Sequence, residues 1–184
     1  NWGCIPTKAL LSNAHLVELI KNHGNQFGFK GQASWDFGQM IGRSRDVAAK
    51  LNKGIEGLFR KYKVQSKFGT AKIVAPHKIQ VDGQTITAES IVVATGVRPR
   101  ALPGADFDGK TIISSKEAMS LPKQPKSLLI IGAGAIGMEF GYFYNAIGTK
   151  VTVVEMMDRI LPIEDEEVSA ALAQSLTKRG LTIL

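Results

Sequence analysis

The chain has 184 residues, 44% of them hydrophobic and 21% charged, with a formal net charge of +7 and a single cysteine. This composition is globular and long enough for one large or two small domains, which excludes a disordered chain and a disulfide-stapled secreted domain. No apolar run reaches the length of about 18 residues that spans a bilayer, and no basic-then-apolar leader opens the chain, so the sequence reads as soluble, with no membrane partner. The basic residues of segment 43–78 and elsewhere lack interleaved stacking aromatics; they read as solvated faces, and no nucleic-acid partner is expected. One cysteine cannot close an internal disulfide, which points to a reducing compartment.

In chain order, Leu10, Leu11, Ala14, Leu16, Val17, Leu19 and Ile20 recur at helical spacing, and Pro6 suits a first helical turn, so a helix is predicted from about Ile5 to Asn22. Gly24, Gly28 and Gly31 punctuate a loop, and a longer helical pattern follows from about Asp36 to Tyr62. From Val64 the pattern changes to alternating β-formers, with a hairpin turn at Asp82-Gly83 and an apolar strand predicted over Ser90–Ala94. Four prolines mark the stretch 99–126 as a linker, and a domain boundary is placed near Leu121. "SLLIIGAGAIGMEFGYFYNAIGTKVTVVE" then reads as strand, glycine turn, helix and strand. A further helix begins at about Asp165, and Leu181–Leu184 looks like a third strand just starting. The chain thus looks cut at both ends, in mid-unit, and holds no internal repeat.

The most specific local signal is Gly132-x-Gly134-x-x-Gly137, with Ala133, Ala135 and Ile136 between the glycines, after an apolar strand and before a helix. In such a turn the first glycine permits the tight bend, the second lets backbone approach a pyrophosphate, and the third allows helix to pack closely on strand. The second strand ends in Glu155, 18 positions after Gly137, where a carboxylate accepts hydrogen bonds from ribose hydroxyls and repels a 2′-phosphate. NAD is therefore expected over NADP, and Arg159 is the one nearby residue able to soften that choice. The plain alternative is a βαβ unit that binds nothing, with Glu155 a solvated strand end. Cys4, at the start of a helix, sits where exposed N–H groups and the helix dipole favour the thiolate, although an arbitrary lone cysteine is more often an inert buried thiol.

"GCIPTKALL" resembles the redox-active disulfide segment of the flavoprotein disulfide reductases, and "NWGCIPTKALL" resembles its dihydrolipoamide dehydrogenase version. "GTA" at 69–71, "IVVATGVRP" at 91–99, "IGAGAIGMEF" at 131–140 and "VTVVE" at 151–155 follow in the family's order, so the resemblance covers essentially the whole chain. It implies an α/β fold with two dinucleotide-binding domains, truncated at both ends: residues 1–121 as the later part of an FAD-binding domain and 122–184 as the first part of an NAD-binding Rossmann-like domain. In the family a second cysteine stands five residues before the one matching Cys4, which would put it two positions before Asn1.

By the same resemblance, Cys4 matches the flavin-side cysteine, Lys8 the lysine beside the flavin ring, and Glu139 that lysine's glutamate partner. Read without the family, Lys8 is a solvated first-turn lysine and Glu139 a helix-surface carboxylate. Gly69, Thr70 and Ala71 match a segment whose backbone meets the adenine of FAD, and Thr95 and Gly96 match a second FAD-contacting turn; their plain reading is a strand-to-loop junction. His15, His23 and His77 match no catalytic position, and no metal site is expected.

The resemblance implies a two-electron relay from dihydrolipoamide through the cysteine pair and FAD to NAD, in a homodimer that serves the lipoyl domains of 2-oxo-acid dehydrogenase complexes or the glycine cleavage system. It implies a cytoplasmic location, or the mitochondrial matrix in a eukaryote. With one cysteine of the pair, the chain alone is expected to be inactive. Two other readings stand beside this one: a related reductase acting on glutathione disulfide or mercuric ion, and a non-catalytic nucleotide-binding module.

Overall fold

The computed structural model describes residues 1–184. Helices run over Cys4–His23 (α1), Phe37–Lys61 (α2), Ser115–Ala118 (α3), Ala135–Ala146 (α4) and Glu166–Lys178 (α5). Strands run over Ala71–Ala75 (β1), Lys78–Val81 (β2), Gln84–Thr87 (β3), Ser127–Ile131 (β4), Lys150–Val154 (β5) and Thr182–Ile183 (β6). The elements divide between two compact units, Asn1–Lys50 with Ala101–Leu184, and Leu51–Arg100.

The first unit is built on a parallel sheet in the order β4-β5-β6, with Ser127 opposite Lys150 and Thr152 opposite Thr182. Helix α4 connects β4 to β5 and helix α5 connects β5 to β6, as parallel pairing requires a crossover. Val151 and Val153 are buried in the middle strand. Leu10, Ala14 and Val17, spaced for one helical face, carry α1 into the same core as Met138, Phe140, Phe143 and Tyr144 of α4. Phe143 and Tyr144 meet edge to face at 5.0 Å between ring centroids. Tyr144 is fully buried, and its hydroxyl donates to the carbonyl of Ala118 at 2.6 Å, which satisfies the one polar atom the ring carries inside. Burial pushes the Tyr144 phenol well above its ordinary value.

Two polar ties fasten α1 to the helices over the sheet. The Glu18 carboxylate accepts from the Tyr142 hydroxyl at 2.9 Å and from Arg179 Nε at 3.1 Å. Lys21 Nζ donates to the carbonyl of Ala146 at 2.7 Å, a cation placed on the last turn of α4 where the helix dipole favours it. Burial first, then the bond to Glu18, pushes the Tyr142 phenol up to about 12.

The stretch expected to be a plain linker is more structured than that. Asp108 Oδ1 accepts N–H groups from Lys110, Thr111 and Ile112, and Ser114 and Glu117 form a capping box that starts α3. Ala118 and Met119 then enter the core of the first unit.

In the second unit β1, β2 and β3 form an antiparallel meander, and Ile73, Ile79 and Ile86 pair across it on one face. The predicted hairpin at Asp82-Gly83 is present, with φ values of 44° and 86°, both in the left-handed region that a tight two-residue turn needs. The strands begin at Ala71 rather than Val64. The strand expected over Ser90–Ala94 is absent: the segment joins no sheet, and Val92 and Val93 are exposed. Its β-branched residues suit an extended backbone, but a strand needs neighbouring N–H and C=O groups, and none of the six strands pairs with it.

Replacing Tyr144 by Phe leaves the Ala118 carbonyl buried without its donor. Tyr144→Phe is expected to lower the unfolding free energy of the protein carrying this chain by about 1–3 kcal/mol, read from the denaturant midpoint at unchanged slope.

Candidate functional site

The glycine turn follows β4 directly. Gly132 has φ of 101° and donates its N–H to the carbonyl of Val154 at 2.8 Å, so the bend closes against the end of β5. A Cβ on Gly137 would fall 2.1 Å from the carbonyl oxygen of Gly132, which is backbone and cannot move aside. Gly134 precedes α4 in an extended conformation, and a Cβ there would meet nothing within 4 Å. No side chain caps α4, so the N–H groups of its first turn face open space over Gly134, and Ala135 and Ile136 are exposed beside it. Uncapped donors with the positive end of a helix dipole suit an anion such as a phosphate group.

Glu155 stands at the end of β5, next to this turn. Its Oε2 accepts the N–H of Ala133 at 2.7 Å and its Oε1 accepts the N–H of Met157 at 3.0 Å. The Met157 and then the Ala133 bond hold the carboxyl below the usual glutamate value of 4.5. Each oxygen keeps a further lone pair, so the carboxylate is oriented by backbone and still able to accept two hydroxyls. Arg159 is engaged elsewhere: Nη1 pairs with Glu166 Oε1 at 2.7 Å, and Nη2 donates to the carbonyl of Pro162 at 3.3 Å.

A second group of residues lies where α1 meets α4. Cys4 is a free, exposed thiol at the first position of α1, and Lys8 follows one turn later, so thiol and ammonium share a helix face. The Lys8 ammonium pairs with the carboxylate of Glu139, in the second turn of α4. The Lys8 side chain is 60% exposed, so the pair adds little to stability. What it fixes is position, since it ties the cysteine-bearing helix to the helix that opens the glycine turn. A thiol beside an ammonium is a donor set that suits an electron-accepting ring such as a flavin.

One feature of this region was not read from the sequence. The Trp2 ring lies under the Arg45 guanidinium at 4.2 Å and the Lys116 ammonium at 5.1 Å, and Thr7 Oγ1 donates to the carbonyl of Gly3 at 2.8 Å. These contacts hold the three residues before Cys4. Both cations are distant in sequence, so no local pattern announces them.

In the second unit, Gly69 has φ of 153° and a Cβ there would fall 2.1 Å from Asp82 Oδ2. The N–H of Thr70 donates to Asp82 Oδ1 at 3.0 Å, and Ala71 opens β1. Thr95 and Gly96 lie in the exposed segment that joins no sheet, where Gly96 has φ of 77°, and no hydrogen bond joins them to Gly69–Ala71. His15 and His23 are exposed on α1. His77 occupies the β1–β2 turn with Nδ1 2.8 Å from the carbonyl of Glu89. No group of three or more His, Cys, Asp or Glu is arranged to hold a metal ion, and no helix is long and apolar enough to cross a membrane.

The family model described as pyridine nucleotide-disulphide oxidoreductase matches residues 1–184. A dihydrolipoyl dehydrogenase of Chlorobaculum tepidum is 46% identical over 189 aligned residues, which take in 100% of this chain and 40% of that protein. A mitochondrial dihydrolipoyl dehydrogenase of Pisum sativum is 39% identical, over 98% of this chain and 37% of that protein. Among solved structures, LpdA from Mycobacterium tuberculosis superposes with a TM-score of 0.83 at 29% identity, over 98% of this chain and 41% of that one. The HOCl-induced flavoprotein disulfide reductase RclA from Escherichia coli does so with a TM-score of 0.77 at 29% identity, over 100% of this chain and 39% of that one. The chain thus spans about 40% of the length of the curated relatives it matches.

The Glu155 carboxyl carries a pH signature. Because its folded value is depressed, its contribution to stability is complete above the unfolded value and is lost as pH falls through the folded one. Carbon-13 titration of Glu155 is expected to give a midpoint below 4.5. Glu155→Gln should lose less stability than the parent between about pH 5 and about pH 3, and equal losses would remove the Glu155 anchor from the account.

Proposed function

We propose, from the premise that this chain belongs to the pyridine nucleotide-disulphide oxidoreductase family, that the protein carrying it is a dihydrolipoyl dehydrogenase using FAD and NAD. The observation that carries this reading is the Lys8–Glu139 pair, which joins the helix bearing Cys4 to the helix that opens the glycine turn. In this reading residues 1–121 belong to the FAD-binding domain and 122–184 to the NAD-binding domain. The disulfide partner of Cys4 comes from outside residues 1–184, which hold no other cysteine.

FAD and NAD, when bound, supply a two-electron acceptor ring and a hydride acceptor. The residues of the chain do the rest. Cys4, exposed at the start of α1, would hold the flavin side of the disulfide, while its partner cysteine takes part in the thiol–disulfide exchange with a dihydrolipoyl group. Gly69–Ala71, Thr95 and Gly96 offer backbone to the adenosine end of FAD. Gly132–Gly137 and the first turn of α4 hold the NAD pyrophosphate, and Glu155 accepts the ribose hydroxyls and opposes a 2′-phosphate. Lys8 and Glu139 keep the two dinucleotide-binding parts in register. The proposed protein is a homodimer acting on lipoyl domains of 2-oxo-acid dehydrogenase complexes or the glycine cleavage system, in the cytoplasm or the mitochondrial matrix.

The likeness to RclA favours a second reading within the family, in which another disulfide replaces lipoamide. The two separate cleanly in an assay of the full-length protein loaded with FAD, with dihydrolipoamide as donor and NAD or NADP as acceptor. Rapid reduction of NAD alone supports the proposal. A flavin reducible by NADH without lipoamide turnover moves the substrate to another disulfide. In the same assay Glu139→Gln is expected to slow turnover by roughly tenfold or more while the thermal midpoint stays nearly unchanged, since the pair is solvent-exposed.

A further inference from the structure

Arg159 is the only basic residue between Glu155 and Glu167, a stretch that also carries the carboxylates of Asp158, Glu164, Asp165 and Glu166. Two anchors on one residue of the glycine turn confine it. The N–H of Ala133 donates to Glu155, four positions before Arg159, and the carbonyl of Ala133 accepts from the N–H of Leu161 at 2.9 Å, two positions after it. Ile160, next to Arg159, is buried at 3% exposure. The loop is therefore folded onto the turn, and Arg159 is the one cation it carries between these two anchors.

Its guanidinium is already engaged. Nη1 is bound to Glu166, Nη2 to the carbonyl of Pro162, and Nε is buried with no partner. A buried, unpaired N–H is costly, so this placement does not optimise the hydrogen bonding of Arg159 itself. Glu166 is the one charged group that draws the side chain there. Glu166 is 80% exposed, and the cap of α5 is made by Asp165, which accepts the N–H groups of Glu167 and Val168. Removing the Glu166 carboxylate therefore leaves the helix start intact.

We propose that Glu166 is a specificity-determining residue: by pairing with Arg159 it withholds the only cation of the loop from a 2′-phosphate, so that NADP is rejected by restraint of Arg159 as well as by repulsion from Glu155. This rests on the nucleotide-binding reading of the glycine turn. Glu155 alone then does not set the preference. Removing it takes away a repulsive charge without supplying an attractive one, and only the loss of both carboxylates lets a bidentate guanidinium reach a phosphate.

The test is calorimetric binding of NAD and NADP to the full-length protein and to Glu155→Ser, Glu166→Gln, the double variant, and the double variant with Arg159→Gln. The double variant is expected to bind NADP about tenfold more tightly than the product of the single changes gives, and Arg159→Gln should remove that excess. The gain should be confined to NADP, because a general structural effect would move both nucleotides. Additive single changes, or a gain that survives Arg159→Gln, overturn the proposal while leaving NAD binding by the parent in place. A parent that binds neither nucleotide overturns the site reading and this inference with it.

Discussion

The close approach of α4 to the end of β4 is the constraint from which the rest of the site follows. At Gly137 the helix backbone passes so near the Gly132 carbonyl that a Cβ would fall 2.1 Å from it. Only a glycine on each side allows that contact: Gly132 because its φ of 101° turns the chain, and Gly137 because it has no side chain. Once the helix starts there, its free N–H groups open above Gly134, and Ala133 lies between Glu155 and Leu161 with both of its backbone groups in use. Two positions beyond Gly137, Glu139 emerges on the side of α4 that meets Lys8.

The same approach explains how one helix serves two parts of the chain. The core side of α4 is apolar and packs on the sheet, where Gly141 admits Leu181 and Ile130. Its other side receives α1 through Leu10, Ala14 and Val17. The charged and polar ties at Glu139, Tyr142 and Ala146 lie along that seam and pair with Lys8, Glu18 and Lys21 of α1. Apolar burial supplies the adhesion, and polar ties select one rotation of α1 about its axis. A slip of one residue along α1 would carry Lys8 about 100° around the helix and away from Glu139.

Where a local rule decides, the sequence was legible. The glycine turn, Glu155 at a strand end, the Asp82-Gly83 hairpin and Asp165 before α5 each depend on a few adjacent residues, and each stands where the pattern put it. Pairing of Lys8 with Glu139 was readable only through family resemblance, because 131 positions separate them and neither is unusual alone. The Ser90–Ala94 strand was misread because β-propensity describes what a segment tolerates and says nothing about whether a neighbour is present. Within the stretch read as a linker, the prolines masked Ser114-x-x-Glu117 ahead of Ala118 and Met119, a capping signature that was there to be seen. Arg159 was visible as a cation near Glu155, but its restraint by Glu166 depends on how the loop folds back onto Ala133.

Net charge is a poor guide to what this chain attracts, because the charge is distributed unevenly. Leu51–Arg100 holds nine of the 23 Lys and Arg and three of the 16 Asp and Glu, so the second unit carries most of the excess. The loop after β5 has the opposite character, with carboxylates on both sides of one arginine. At physiological ionic strength exposed charges more than about 8 Å apart are largely screened from each other. The field around the loop after β5 is therefore set by Glu155, Arg159 and Glu166 rather than by the overall +7. Charge of both signs, sorted into separate stretches, leaves a basic chain with one acidic loop beside its glycine turn.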